Sequence, residues 1–388
     1  MTKHHSIKNE LANLADESLH RELRELPQTG GKFRIGELEF LNFSSNDYLD
    51  LANDKRLKRA AIETIEQMGC GATSSRLMTG HTTAHANLEE ALAGFTGMED
   101  SLVFPSGYQA NLSVMTSLAD PNGMIFSDEL NHASIVDGCR LSKSPTQVFR
   151  HNDMDDLEYQ LQNTTALGRQ LIVTDSLFSM DGDAACLREL AQIAQKYNAL
   201  LIVDEAHAMG VFGNGHGLCK ANGIIPDVLV GTLTKSFGSG GGFAAGDSEC
   251  IELILNKARS FIFSTGLAPV CAGSALEAIG IIAAHPEMGA CLLEKAALFR
   301  RLVNDAEKIM EDGDSQILPI IIGSNDETMK LSARLFERGI IVSGIRPPTV
   351  PEGSSRLRFS ITLAHTNDDL HDAASIVKAV VSDSNILK

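Results

Sequence analysis

Lys235 follows a short apolar run, Val228–Val230, and precedes Ser236-Phe237-Gly238-Ser239-Gly240-Gly241-Gly242, where four of seven residues are glycine. Most lysines are solvated surface charges. A lysine made nucleophilic by its site can instead form a Schiff base with a carbonyl compound, and the glycines beside this one let backbone approach a ligand closely. Asp204 and His207 follow another apolar run, Leu200–Val203. Taken singly, Asp204 reads as a helix N-cap and His207 as a capping or core histidine. Taken with Lys235 on a neighbouring strand, Asp204 can hold one end of a flat ring whose other end meets the lysine. Pyridoxal 5'-phosphate has that requirement: a carboxylate at its pyridine nitrogen keeps the ring an electron sink. His207 would then reach the phenolic oxygen.

His132 lies in Leu130-Asn131-His132-Ala133-Ser134, after the run Met124–Phe126. A lone histidine is more often structural, but a flat imidazole can stack on the face of a flat cofactor. Ser106-Gly107-Tyr108-Gln109-Ala110-Asn111 follows the run Ser101–Phe104 and opens a helix predicted over Leu112–Leu118. Free amides and the helix dipole at such a start favour a phosphate. GxGxxG is missing from this turn, so a dinucleotide site is not indicated.

These residues all sit at the ends of short, near-continuous apolar runs, a fifth being Leu171–Val173 before Asp175, Ser176 and Ser179. Such runs alternating with helical stretches predict α/β architecture, with strands buried on both faces of a mostly parallel sheet. Ligands of open α/β sheets bind outside the carboxyl ends of the strands, which gathers the reactive side chains in one crevice. Leu11, Leu14, Leu19, Leu23 and Leu26 predict an amphipathic N-terminal helix ended by Pro27 and Gly30-Gly31. Beyond His285-Pro286 come a predicted helix, Glu294–Met310, and strands Ile317–Ile322, Ile340–Val342 and Arg356–Ile361. The expected organisation is an N-terminal helix and arm over 1–40, a large α/β domain over 41–284 and a small α+β domain over 285–388.

With 388 residues, 43% hydrophobic and 21% charged, the chain can bury a large core. Its net charge of −17, from 33 basic and 50 acidic residues, repels phosphate backbones and argues against nucleic acid and a polybasic membrane anchor. Seven scattered cysteines without a CxxC argue against a structural metal and suit a reducing compartment. No apolar run approaches ~18 residues and no secretory h-region is seen, so a soluble, cytoplasmic protein is expected.

Asn42-Phe43-Ser44-Ser45-Asn46-Asp47-Tyr48-Leu49, Pro105–Asn111, Asn131–Ser134, Phe178-Ser179-Met180-Asp181-Gly182, Val203–His207 and Thr232-Leu233-Thr234-Lys235 resemble the α-oxoamine synthases, in the same order and across nearly the whole chain. These are fold-type I pyridoxal-phosphate enzymes that join an amino acid to an acyl thioester with loss of CO2. Asp50 and Thr234 stand where the family usually has glycine. The resemblance implies that Lys235 carries the cofactor and later moves the proton, Asp204 pairs with the pyridine nitrogen, and His132 stacks on the ring. It implies Ser179 and His207 at the phenolic oxygen, and Gly107, Tyr108 and Thr232 at the phosphate end. Arg358 would clamp the amino-acid carboxylate, Arg21 and Thr349 would meet the acyl substrate, and Asn46 would lie near the reacting centre. Arg24 offers a group similar to Arg21 one helical turn on. Phe263-Ser264-Thr265-Gly266 resembles the stretch that gives a hydroxyl, from Thr265, to the phosphate of a neighbouring subunit, which implies a homodimer.

Within the family, Gly344–Pro351 and Arg356-Leu357-Arg358 are most similar to the branch that joins L-alanine to a pimeloyl thioester, carried by coenzyme A or acyl carrier protein, in biotin synthesis. The branch that joins glycine to acetyl-CoA shares the Asn-His-Ala-Ser and Phe-Ser-Met-Asp-Gly motifs. A nucleotide-dependent oxidoreductase needs a glycine-rich turn after an early strand with an acid about 20 residues on, and none is found. A plain binding protein leaves Lys235, Asp204 and His207 at strand ends without a reason.

Overall fold

The apolar runs become strands buried along their length. The computed structural model describes residues 4–26, 30–305 and 307–383. In chain order the strands are β1 (Lys32–Ile35), β2 (Leu38–Asn42), β3 (Asp100–Phe104), β4 (Met124–Asp128), β5 (Thr146–Phe149), β6 (Gln170–Asp175) and β7 (Leu200–Asp204). There follow β8 (Val228–Thr232), β9 (Gly242–Gly246), β10 (Ile317–Gly323), β11 (Ile340–Ile341), β12 (Ser343–Ile345) and β13 (Ser355–Ser360).

The chain divides into two units. The larger comprises Asp47–Ser179 and Asp183–Cys291 and holds a seven-stranded sheet of order β3-β9-β8-β7-β6-β4-β5. Strands β4 to β8 pair in parallel, while β9 runs antiparallel to both β3 and β8. β8 and β9 are buried at every residue, as two-sided coverage by helices requires. Leu102, Val114, Ile125, Val173, Ile202 and Val230 belong to the core that packs one such layer.

Strand β9 differs from the sequence expectation. The glycines after Lys235 let backbone pack closely on backbone. A Cβ at Gly242 would lie 2.4 Å from the Gly107 nitrogen, and one at Gly238 would lie 2.4 Å from the Ala52 nitrogen. Helix Gly107–Leu118 also starts earlier than expected, because the Ser106 hydroxyl accepts the Gln109 N–H and caps it at Ser106.

The smaller unit comprises Met1–Asn46, Met180–Gly182 and Leu292–Lys388. Its sheets are β1-β2-β11 and β10-β13-β12. Strand β11 pairs in parallel with β2, Ile340 facing Leu41, so the first segment shares a unit with the last instead of standing apart as 1–40. The division near the C-terminal side falls between Cys291 and Leu292, inside helix Met288–Val303, and not at 284.

Two helices end sooner than their apolar spacing suggests. The first runs only over His5–Asp16. Ser18 adopts φ +56°, and the Leu19 N–H turns back to the Leu14 carbonyl at 2.7 Å, a left-handed closure that stops the helix. Leu19, Leu23 and Leu26 are therefore not helical, and neither are Arg21 and Arg24. Pro27 lies outside the described residues. Helix Met288–Val303 stops where the Asn304 side chain accepts the N–H groups of Ile309 and Met310. Asp50 sits at φ +56°, a conformation that favours glycine, which accounts for the glycine that the family resemblance puts there. Among the described residues, no single helix is long and apolar enough to cross a membrane.

Candidate active site

Parallel pairing sets the site. Asp175 at the end of β6 faces Asp204 at the end of β7, so both carboxylates emerge side by side on one edge of the sheet. Asp204 is buried, and each of its oxygens is occupied: Oδ1 accepts the Ala206 N–H at 2.8 Å, and Oδ2 accepts from the Asn111 amide at 2.6 Å. The same amide reaches Ser134 Oγ at 2.9 Å. No helix follows Asp204, which closes a turn rather than capping a helix.

Lys235 lies beyond β8, its Nζ 2.7 Å from His207 Nε2. The other imidazole nitrogen, Nδ1, is 2.7 Å from the hydroxyl of the fully buried Tyr48. His132 is fixed by its backbone N–H, which donates to Asp175 Oδ2 at 2.8 Å, and by a 2.7 Å contact of Nδ1 with Ser134 Oγ. Burial pushes the His132 imidazole down, against the pull of Asp204 and with the push of Lys235. Burial pushes the Asp175 carboxyl well up, and the neighbouring Asp204 charge adds to it.

These side chains line a cavity of about 220 Å³ that also takes in Gly107, Tyr108 and Thr232. At one end stand the first amides of helix Gly107–Leu118, and a Cβ on Gly107 would come within 3.3 Å of Thr232. The hydroxyls of Thr232 and Thr234 are 2.8 Å apart. Tyr108 packs edge-on to His132, the ring centroids 6.4 Å apart. An anion fits the helix start, a protonated ring nitrogen fits Asp204, an aldehyde carbon fits Lys235, and a flat ring fits the face of His132. The donor set therefore suits pyridoxal 5'-phosphate.

The loop bearing His132 has a further support. His151 Nδ1 is 2.9 Å from Asp128 Oδ1, and Nε2 is 2.8 Å from Asp183 Oδ2. Burial opposes its charge, but the two carboxylates raise its pKa to about 10. Asp128 in turn accepts the N–H groups of Leu130 and Asn152.

Seven of the expected residues line one cavity: Gly107, Tyr108, His132, Asp204, His207, Thr232 and Lys235. Ser179, on the loop after β6, and the exposed Thr265, bridged to Ser75, are in the same unit but are not among its lining residues. Asn46, Arg358, Arg21 and Thr349 belong to the other unit. There Arg358, on β13 and buried, donates to Asn46 Oδ1 at 3.1 Å and to Ser360 Oγ at 2.7 Å. Arg21 donates to the Pro347 carbonyl at 2.9 Å, while the Arg24 guanidinium lies over the Phe336 ring at 3.9 Å. Thr349 is exposed on the turn closed by its N–H to the Arg346 carbonyl. Asn111 and Asp175 at the cavity, and Tyr48 behind His207, are not among the residues expected from the sequence. Only the strand-end position of Asp175 carried any signal.

A family model described as aminotransferase class I and II matches residues 39–377. The chain is 43% identical, over 98% of its length and 99% of the relative's, to an 8-amino-7-oxononanoate synthase of Lysinibacillus sphaericus. It belongs to the α-oxoamine synthases. A second relative of this α-oxoamine synthase, 8-amino-7-oxononanoate synthase 2 of Bacillus subtilis, is 39% identical over 98% of each chain. The fold of this chain superposes on that of a serine palmitoyltransferase of S. paucimobilis described with a bound PLP–myriocin aldimine, with a TM-score of 0.92, 28% identity and 99% of both chains covered. The fold-type I assignment stands, and this α-oxoamine synthase is a PLP-dependent acyltransferase.

Proposed function

We propose that this α-oxoamine synthase condenses L-alanine with a pimeloyl thioester, with loss of CO2, which is the 8-amino-7-oxononanoate synthase reaction of biotin biosynthesis. The observation that carries the reading is the 43% and 39% identity, over 98% of the chain, to two proteins of that name. The stretch Gly344–Pro351 supports the same branch.

Pyridoxal 5'-phosphate, when bound, supplies an aldehyde carbon for an amine and an electron sink for charge at the amino-acid α-carbon. The chain does the rest. Asp204 would hold the proton of the ring nitrogen, its own position fixed by the Asn111 amide and the Ala206 N–H. His132 would cover one ring face, where burial, which lowers its basicity, favours the neutral imidazole. The amides of Gly107 and Tyr108 and the hydroxyl of Thr232 would hold the phosphate, joined by Thr265 from a second copy of the chain. Ser179 and His207 border the phenolic oxygen. Lys235 Nζ removes the α-proton of alanine and later returns one to the product. Arg358 takes the alanine carboxylate in a two-pronged contact, with Asn46 beside it. Arg21 and Thr349 meet the acyl chain, whose carrier is coenzyme A or acyl carrier protein.

A homodimer fits the exposed apolar side chains Leu77, Met78 and Phe263 of the larger unit, and seven free cysteines fit the cytoplasm. Sedimentation of the cofactor-loaded protein should give twice the chain mass.

The test of the substrates is kcat/KM for alanine and glycine, each with pimeloyl and acetyl thioesters. Alanine with pimeloyl thioester should be the best pair. One methyl group separates alanine from glycine, so that preference should be about 10- to 200-fold. The acyl preference should be sharper, because each buried methylene contributes about 0.8 kcal/mol. Glycine with acetyl-CoA as the best pair would move the chain to the other branch.

A further inference from the structure

Tyr48, His207 and Lys235 form a chain of contacts within the larger unit: the Tyr48 hydroxyl is 2.7 Å from His207 Nδ1, and His207 Nε2 is 2.7 Å from Lys235 Nζ. The charge on Lys235 selects which nitrogen carries the proton. A lysine ammonium has three donors and no acceptor. While Lys235 is charged, Nε2 must therefore accept. The neutral imidazole then carries its proton on Nδ1, and the Tyr48 oxygen accepts from it. A buried hydroxyl here does for His207 what an acceptor behind any basic imidazole does: it fixes the tautomer and supports the cation that forms when the far nitrogen is protonated.

We propose that Tyr48 is a positioning residue that holds His207 with Nε2 as the basic nitrogen, so that His207 takes a proton from the Lys235 ammonium and frees the amine. The proposal rests on Lys235 being the cofactor-bearing lysine. In the step, one Nζ–H bond breaks and one Nε2–H bond forms. The positive charge moves from lysine to imidazole, and Nδ1–H stays bonded to the Tyr48 oxygen throughout. The neutral amine left behind has the lone pair that attack on a carbonyl carbon requires. Asp175 and His132 interact electrostatically with Lys235, and Asp204 lines the same cavity. Negative charge in such a cavity favours the ammonium, so the lysine needs a local acceptor to give up its proton. Tyr48 follows directly on Asn46 and Asp47, and the role gives that stretch a purpose within the cofactor site.

The experiment uses the full chain without cofactor, so its result does not depend on which substrates the enzyme takes. Trace acylation with acetic anhydride, read by mass spectrometry of the Lys235 peptide against pH, reports the fraction of free amine at that lysine. In Tyr48→Phe the Lys235 profile is expected to move to higher pH by about one unit, a tenfold loss of free amine at a given pH. The other lysines should not move. Nitrogen-15 spectra of the histidines should show His207 with Nδ1 protonated in the parent chain and with mixed tautomers in the variant. Incorporating 3-fluorotyrosine at position 48 keeps the packing but weakens the hydroxyl as an acceptor, and should give a smaller shift in the same direction. If Tyr48→Phe does not fold, this substitution alone decides. An unmoved Lys235 profile with His207 still protonated on Nδ1 overturns the role of Tyr48. Cofactor trapped by borohydride on a lysine other than Lys235 overturns the underlying site assignment instead.

Discussion

In the unit built on the seven-stranded sheet, Asp175, Asp204 and Lys235 follow strand ends, and their partners Asn111, His132 and His207 come from the adjoining turns and a helix. In the unit built from both chain ends, the guanidinium groups of Arg21 and Arg346 bond backbone carbonyls of irregular segments, Pro347 for one and Ser18 for the other. Register fixes the first group: with β6 and β7 paired, Asp175 cannot move along its strand without dragging Leu171, Ile172 and Val173 out of the core. Long side chains and carbonyls fix the second group, and several of its members are exposed. Bond-making chemistry, which needs reacting atoms held to about 3–3.5 Å, is served by the sheet. Recognition of a carboxylate suits arginine, whose planar fork presents paired donors to it.

If that division is right, substitutions in the sheet unit should act on turnover and those in the other unit on substrate affinity. Lys235→Ala is expected to have the largest effect, a loss of turnover of at least about 10⁴-fold, because no free amine reaches the effective concentration of a positioned one. Borohydride should fix cofactor to Lys235 in the parent chain and to no lysine in the variant. Asp204→Asn should follow. The variant places an amide beside the donors of Asn111 and Ala206 and removes the charge from the ring nitrogen, slowing α-proton exchange of bound alanine by about 10²- to 10⁴-fold. An unchanged exchange rate would take Asp204 out of the mechanism.

Arg358→Lys probes the other side of the comparison. It keeps the charge but loses the fork, and one charge-assisted hydrogen bond contributes about 1.5–3 kcal/mol. The KM for alanine should therefore rise about 10- to 100-fold, with a smaller change in kcat. A fall in kcat at constant KM would show that the division between the units does not hold. The smallest effect is expected for His151→Gln, read as stability against pH. The histidine titrates at its ordinary 6.5 when unfolded and at about 10 when folded. Its ion pairs thus stabilise the fold fully below the first value, progressively less as pH rises, and not at all above the second. The melting-temperature gap between the two proteins should be widest near pH ~6 and close towards pH ~10. A gap that stays constant would mean that packing of its ring edge-on to Phe178, the centroids 4.4 Å apart, and not charge, is the contribution of His151.

The sheet was more legible in the sequence than the rest. Runs such as Leu200–Val203 and Val228–Val230 declare themselves because strands covered on both faces are apolar throughout. Strand β9 did not, because Gly242, Ala244, Ala245 and Gly246 are small in order to let neighbouring backbone approach, and small residues carry no β signal. Leucine spacing continues past Asp16 and predicts a longer first helix, while the stop is the backbone conformation of Ser18. At the site, Lys235, Asp204 and His207 lie close together in the sequence and gave a motif. Asn111 and Tyr48 reach the same place from distant parts of the chain. Until the fold joins them, a helical asparagine and a buried tyrosine resemble any others.

The parallel pairing of β2 with β11 sets an order of events during synthesis. Leu41 leaves the ribosome on the order of 300 residues before Ile340, its partner, which at ~5–20 residues per second is about 15–60 s. In that interval all seven strands of the large sheet have been made, with Lys235 and Asp204 among them. The β1–β2 hairpin waits meanwhile with the outer edge of β2 unpaired, the exposed Glu39 on that strand and the exposed Lys32 and Arg34 on β1 beside it. Charged side chains on a waiting edge discourage pairing with other nascent chains. A ribosome stalled anywhere between residues 291 and 340 thus presents a chain whose sheet unit is fully synthesised and whose β2 still has no strand to receive it.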